Sequence, residues 1–295
     1  MSPSWCLPPF PISGRRRPWY ARTGAPRRAA LCWGVLWSYV HWLVGISLLF
    51  VVLERLLPWR KGQARLRPGL ARDLGFLAIN GHFFSLLTAG ANGWLALQAT
   101  RFLQEAGLVL DASPVSRWPF WVQVVVFLLV SDFLQWCVHN LLHRVPFLWT
   151  FHKVHHAITT MDFVGSFRFH WAEILVYNTA QWLPLALLGA PGEAAFVVAV
   201  FGTFWGDLNH ANLNVGLGPL GTVLNSPRMH LWHHDASDEG GVAKNFGIVL
   251  SLWDFLFGTV FWPRDRSPQV LGYPGIAEMP PGLAGELAWP VARRR

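Results

Sequence analysis

The chain has 295 residues, of which 53% are apolar and only 14% charged, with a positive mean hydropathy and a net charge of +8. That balance excludes an ordinary soluble domain and describes a membrane protein. Its three cysteines, Cys6, Cys32 and Cys137, are far apart and form no C-x-x-C, which excludes a disulfide framework and a zinc-thiolate site. No nucleic-acid motif accompanies the positive charge, and the arginines lie beside apolar segments, where anionic lipid headgroups are the natural partner.

Residues 1–30 carry six arginines among Pro, Gly and Ser and read as a disordered basic tail. Apolar stretches at 31–53, 74–99 and 119–138 each approach the ~20 residues needed to cross a hydrocarbon core. Two shorter stretches, 174–189 and 194–209, flank the turn signal GAPG and read as a helical hairpin that enters or just spans the membrane. The expected fold is therefore an all-α integral membrane protein with three to five membrane helices and a cytosolic, histidine-rich, metal-binding cap. The chain divides into the tail, N-terminal membrane helices over 31–118, a catalytic region over 119–263 and a polar Pro/Gly/Arg-rich tail over 264–295. Loop 54–73 holds six basic residues and loop 100–118 only two, so the positive-inside rule puts the first in the cytoplasm and His139 at a cytoplasmic helix end. The same rule opposes an Arg-rich N-terminal tail on the outer side; the short loops carry more weight.

Five of the twelve histidines fall in HNLLHRVPFLWTFHKVHH, and HLWHH follows at 230–234. His139 and His143 are four apart and so share a helical face. His152, His155 and His156 share another at i, i+3 and i+4, a pattern that His230, His233 and His234 repeat. Lone histidines such as His41 and His82 fit helix packing, and clustered ones can form a pH-sensing surface. The repeated H-x-x-H-H argues instead for metal. Eight imidazoles exceed what one tetrahedral ion uses, so two ions are the economical reading. Imidazole suits iron, copper, nickel or zinc, and oxidation chemistry would need iron or copper.

Together with FRFHWAE, NHANLN, PRMHLWHHD, KNFG and LWDFLFGT, in that order and over about residues 120–263, these motifs closely resemble the fatty acid hydroxylase/sterol desaturase superfamily of integral membrane oxygenases. The resemblance implies a non-haem di-iron centre (Fe2+/Fe3+) that activates O2. Its ligands would be His139, His143, His152, His155, His156, His230, His233 and His234. His210 and His170 also fall on family positions: His210 as a ligand, His170 as a ligand or a structural neighbour. Trp171 stands where the family commonly has proline. Ferrous ions held by neutral imidazoles need nearby carboxylates, and metal-bound histidines usually donate their other N–H to one. By spacing the candidates are Asp132, Glu173, Asp207 and Asp235; Asp254 is a structural family position.

The implied activity is O2-dependent hydroxylation or desaturation of a membrane lipid such as a sterol or fatty acid. The sequence shows no ferredoxin cysteine set, cytochrome b5-like domain or nucleotide fingerprint, so electrons are expected from a separate cytochrome b5-like or ferredoxin-like donor, with the basic loop 55–72 as a docking place. The competing reading is a histidine-rich metal-binding or metal-transport membrane protein without oxygenase activity. Transport favours ligands along the membrane segments, whereas these clusters sit at helix ends.

Overall fold

The structure, a computed structural model, describes residues 26–107, 114–188, 190–237 and 244–290. Helices α1 (Pro26–Leu56), α2 (Leu70–Ala78), α3 (Ser85–Glu105), α4 (Phe120–Arg144), α5 (Pro146–His156), α6 (Trp171–Leu187) and α7 (Gly192–His210) come first. The short helices α8 (Pro227–His233), α9 (Leu252–Phe257) and α10 (Leu283–Leu287) follow. Among the described residues there is no strand, only two isolated bridges, Pro58 to Leu213 and Asp235 to Leu271.

Central helix α4 contacts α5, α6 and α7, while α3 runs against α6 and α1 against α7. Apolar residues on these helices face two ways. On α1, Leu43, Ile46 and Phe50 point inward, where Phe50 lies 6.0 Å from Phe163 and 5.5 Å from Phe204 between ring centres, while Trp42, Leu48 and Val52 are exposed. On α4, Phe127 is buried with Leu185, Ala194 and Val198, yet Trp121, Val125 and Leu129 are exposed. Helices α1 and α4 are long and apolar enough to cross a membrane, and only 17% and 33% of their apolar windows are buried inside the protein. A soluble protein would bury such faces; lipid makes that unnecessary.

Segment 74–99 departs from expectation. Its helical run is unbroken from Leu70 to Glu105, but a π-helical segment, Ile79–Phe84, lies between α2 and α3. The interruption has a purpose: Asn80 Nδ2 donates to the carbonyls of Phe167 (2.8 Å) and Phe169 (2.9 Å), fixing the loop that runs beneath the histidines. Segments 174–189 and 194–209 form α6 and α7, which both pack on α4, with Gly189 outside the described residues.

The two terminal segments also differ. Residues 1–25 lie outside the described residues, and 26–30 already belong to α1. Residues 264–290 fold back as a packed strap rather than trailing as a polar tail. Tyr273, Met279 and Trp289 join Phe76, Val154 and Ala157 in one buried cluster. Glu286 pairs with Arg168 (2.7 Å) and Arg72 (3.0 Å). The apolar residues of the strap are too sparsely spaced among Pro, Gly and Arg to stand out by composition.

Nor are the N-terminal helices a separate layer. Glu54 accepts from the N–H of Phe163 (2.9 Å) and Asn212 (2.8 Å), and Arg67 holds Asp162 (2.6 Å) and Asp73 (2.8 Å). Loop 57–69 therefore packs onto the histidine-bearing end of the bundle, and the segment 114–118 before α4 lies at the other end.

Candidate metal centre

Nine histidines converge at one end of the bundle in two groups. His139, His143, His152, His156 and His233 form one; His155, His210, His230 and His234 form the other. Within each group the ligand-capable atoms all lie within 4.8 Å of one another. The groups cut across the sequence motifs. Neighbours on a helix point about 100° apart, so His155 and His156 of α5 serve different groups, as do His233 and His234 at the end of α8. Helix α4 supplies His139 and His143 one turn apart, and α7 ends at His210.

Five rings are aimed by their Nδ1–H. His139 donates to Phe246 O (2.8 Å), His152 to Glu173 Oε1 (2.6 Å), His155 to Arg168 O (3.2 Å), His210 to Gly206 O (2.8 Å) and His233 to Lys244 O (2.7 Å). With Nδ1 protonated in a neutral ring, Nε2 carries the lone pair. The Nε2 atoms of His139 and His152 then face each other at 3.2 Å, and those of His155 and His210 at 3.3 Å. His156 and His143 approach at 3.1 Å, and His230 and His210 at 3.3 Å, again through Nε2. Two facing lone pairs repel unless a cation lies between them. Nitrogens bound at about 2.1 Å to one ion stand roughly 3.0–3.4 Å apart, so the spacing suits shared metal ligation. His233 Nε2 and both ring nitrogens of His234 are buried without a hydrogen-bond partner, a costly state unless they bind an ion.

Burial, reinforced by neighbouring imidazoles, holds His152, His155, His156, His230 and His234 well below the usual 6.5; burial does the same for His233. All six are neutral at pH 7, the form that ligates metal. Among the described residues the donor set is wholly imidazole and fits two transition-metal ions.

His170 stands apart from both groups. Its Nδ1 accepts from Ala172 N–H (3.1 Å) and its Nε2 donates to Leu287 O (3.1 Å), so it caps α6 and ties that helix to the C-terminal strap. Of the four carboxylates picked by spacing, Glu173 reaches a clustered histidine. Asp132 instead accepts from Val249 N, Leu250 N and Trp253 Nε1 at 2.9–3.1 Å. Asp207 accepts from the Ser166 hydroxyl (2.5 Å), and Asp235 binds Ser237 (2.6 Å) and Lys244 (3.5 Å).

Sequence reasoning missed how the imidazoles are aimed. Asp254 accepts from Trp136 Nε1 (3.0 Å), Phe246 N (2.9 Å), Gly247 N (2.8 Å) and the Thr259 hydroxyl (2.6 Å). It thereby shapes loop 244–247, whose carbonyls receive His139 and His233. A side chain at Gly247 would collide with the Leu250 carbonyl and crowd Asp254, so only glycine fits. The KNFG and LWDFLFGT motifs were the available signal, but spacing alone could not join them to the rings.

A cavity of about 560 Å³ leads from His139, His155 and His210 between α3, α4, α6 and α7. Phe169 stacks on His155 at its mouth, with ring centres 4.4 Å apart and planes 8° apart.

These features place the chain in a class of helical proteins with membrane-type apolar helices and, at the end of a cavity, two converging imidazole groups that could each hold a metal ion. The fatty acid hydroxylase family model matches residues 124–259. Ornithine lipid hydroxylase OlsE of Rhizobium tropici is 30% identical over 270 residues, covering 88% of this chain and 77% of that protein. Alkylglycerol monooxygenase of Danio rerio is 30% identical over 248 residues, 80% of this chain but 51% of that protein. Methylsterol monooxygenase 1-3 of Arabidopsis thaliana is 26% identical over 148 residues, 46% of this chain and 47% of that protein. No solved structure matches. The chain belongs to the fatty acid hydroxylase/sterol desaturase superfamily.

Proposed function

We propose that this chain is a membrane-bound, di-iron lipid hydroxylase. The observation that carries the reading is the convergence of nine histidines, eight of them buried and six held neutral outside the membrane-spanning helices, on the end of a cavity walled by membrane-type helices. The relatives are lipid hydroxylases and monooxygenases, and that supports oxygenation over the desaturation that the family also performs. Bound iron supplies O2 activation, with the balance R–H + O2 + 2e⁻ + 2H⁺ giving R–OH + H2O.

The chain's own residues hold and aim. His139, His143, His152, His156 and His233 take one ion; His155, His210, His230 and His234 take the other. Glu173 lowers the accumulated positive charge through His152, and the backbone carbonyls of Phe246, Arg168, Gly206 and Lys244 orient His139, His155, His210 and His233. Asp132, Asp207 and Asp235 support the site through loops, and His170 through α6. Burial keeps bulk water from the reacting carbon, and the cavity admits the lipid from the bilayer. The site lies on the cytoplasmic face, the side to which the positive-inside rule assigns the packed loop 57–69. Electrons come from a separate donor; exposed Lys61 and Arg65 on this face offer a basic approach.

Metal transport is the weaker reading, because the clustered ligands gather at helix ends and do not mark a path through the bundle. The test is metal content per chain after growth with iron and little zinc, alongside His155→Ala. About two irons with O2-dependent lipid oxidation, both lost in the variant, is the expected result. Zinc alone, or lipid oxidation retained by the variant, overturns the reading.

A further inference from the structure

The cavity is not uniformly apolar. Its far part is walled by Leu128, Leu185, Ala186, Ala195 and Val198. Between that part and the imidazoles stands a ring of amides: Asn92 on α3, Gln135 on α4, and Asn178 and Gln181 on α6. Gln135 precedes His139 by four residues, about 6 Å along the helix axis. Asn178 and Gln181 follow Glu173 by five and eight residues, about 8 and 12 Å.

Each amide commits half of its hydrogen-bonding capacity to another helix. Gln181 Nε2 donates to Gln135 Oε1 (2.7 Å), Asn178 Nδ2 donates to Thr88 Oγ1 (2.7 Å), and Asn92 Oδ1 accepts from Thr179 Oγ1 (3.1 Å). The other halves make no hydrogen bond among the described residues. These are Asn92 Nδ2, which is fully buried, and the donor Gln135 Nε2 and acceptors Asn178 Oδ1 and Gln181 Oε1, carried by half-buried side chains that line the cavity. Asn92 lines the cavity and is only 4% exposed, and its N–H2 is buried without a hydrogen-bond partner. Such a group is costly, and a bilayer offers no water to relieve it. Helix zipping accounts for the committed halves and leaves the free halves unexplained. The ring also carries no charge, and the nearby Asp132 carboxylate is occupied by Val249, Leu250 and Trp253.

The geometry points to a polar subsite: the Asn92, Gln135, Asn178 and Gln181 ring binds a neutral group with both donor and acceptor, an amide or a hydroxyl, within a lipid whose hydrocarbon fills the far cavity. The carbon offered to the metal centre then lies within about 6–12 Å of that group. This deepens the lipid-hydroxylase reading and rests on it for the chemistry, while the binding step is measurable without turnover.

The test uses the purified full chain in detergent, with bound lipid counted by native mass spectrometry. Three probes of similar length are titrated: N-hexadecanoylethanolamine, with donors and acceptors; methyl hexadecanoate, with acceptors only; and octadecane, with neither. The native chain should bind them in that order, with about tenfold between the amide and the ester. The paired variant Gln135→Met/Gln181→Met removes both partners of one bond together and leaves no orphan, so the fold should tolerate it. It should lose about tenfold for the amide and nothing for octadecane; Asn92→Leu should do likewise. Equal affinity for all three probes in the native chain, or an equal loss for all three in the variants, overturns the subsite. Metal content and O2-dependent oxidation are read on the same preparation. A preserved ranking without oxidation removes the hydroxylase reading alone, and oxidation without a ranking removes the subsite alone.

Discussion

Glu173→Gln is the perturbation with the least ambiguous sign. Glu173 is 1% exposed, one carboxylate oxygen accepts from His152 Nδ1 at 2.6 Å, and the other has no partner. Among the described residues no arginine or lysine pairs with Glu173, so compensation for its charge would arrive with the metal through His152. Glutamine keeps an acceptor for the same N–H and removes the charge. Loss of such an outer partner costs 10- to 100-fold in metal affinity, about 1.4–2.7 kcal/mol. The metal-free protein behaves differently, since burial without a cationic partner already drives Glu173 towards the neutral acid and the substitution removes little charge. Metal-loaded Glu173→Gln should therefore melt a few degrees below the native chain, at roughly 2–4 °C per kcal/mol, while the metal-free variant melts no lower than metal-free native protein. The assay is thermal unfolding in detergent with and without metal, together with the chelator concentration that strips half the metal. Equal destabilisation of both forms would show that Glu173 merely packs, and an unchanged chelator midpoint would refute the charge argument.

Other outcomes follow from the same contacts. Glu286→Leu leaves the buried Arg168 with only Asp73, 3.8 Å away, and should cost about 3–5 kcal/mol, or roughly 10 °C in melting temperature. Adding Arg168→Met should restore most of that loss; no recovery would refute the pairing argument. His170→Ala should cost about 1 kcal/mol as a lost helix cap and leave metal content unchanged, as metal analysis would show. In the metal-free protein the six depressed imidazoles refuse protons that an unfolded chain accepts near 6.5. Stability is therefore complete above that value and falls as the pH drops below it. Apo melting temperatures that stay flat from about pH 7 to pH 5 would contradict this.

The clustered histidines were legible because a metal site, if present, leaves its spacing in the local sequence. An H-x-x-H-H on a helix crowds three imidazoles into little more than one turn whatever the surroundings, so His152, His155 and His156 announced themselves. What surrounds those ligands was legible only where the partner was near in sequence. Glu173 is 21 residues from His152 and was found through its nearness to His170, a neighbour that turned out to cap a helix. Asp132, picked by its periodicity with His139, turns its carboxylate to loop 249–253. The partners that do aim the rings are mostly backbone carbonyls, which every residue has and which no side-chain pattern reveals. The π-helical turn within segment 74–99 was hidden for a related reason: hydropathy averages over a window, whereas the Asn80 contacts that accompany the turn depend on a loop almost ninety residues away.

The interleaving of the motifs has a consequence for how the site must assemble. Neither H-x-x-H-H completes a metal group by itself: α5 gives His152 and His156 to one group and His155 to the other, and α8 divides His233 from His230 and His234 in the same way. Each ion would therefore cross-link α5 to α8, with α4 bound into one group and α7 into the other. Loss of either ion would loosen the same two helices and so weaken the remaining site. Metal release should accordingly be cooperative, in contrast to two independent centres on separate helices. Both H-x-x-H-H motifs sit on short helices of 11 and 7 residues, which hold poorly on their own. The carbonyls that receive the His155 and His233 rings come from loops braced by Glu286 and Asp254, so the cap is fixed by its charged supports on one side and by the metals on the other.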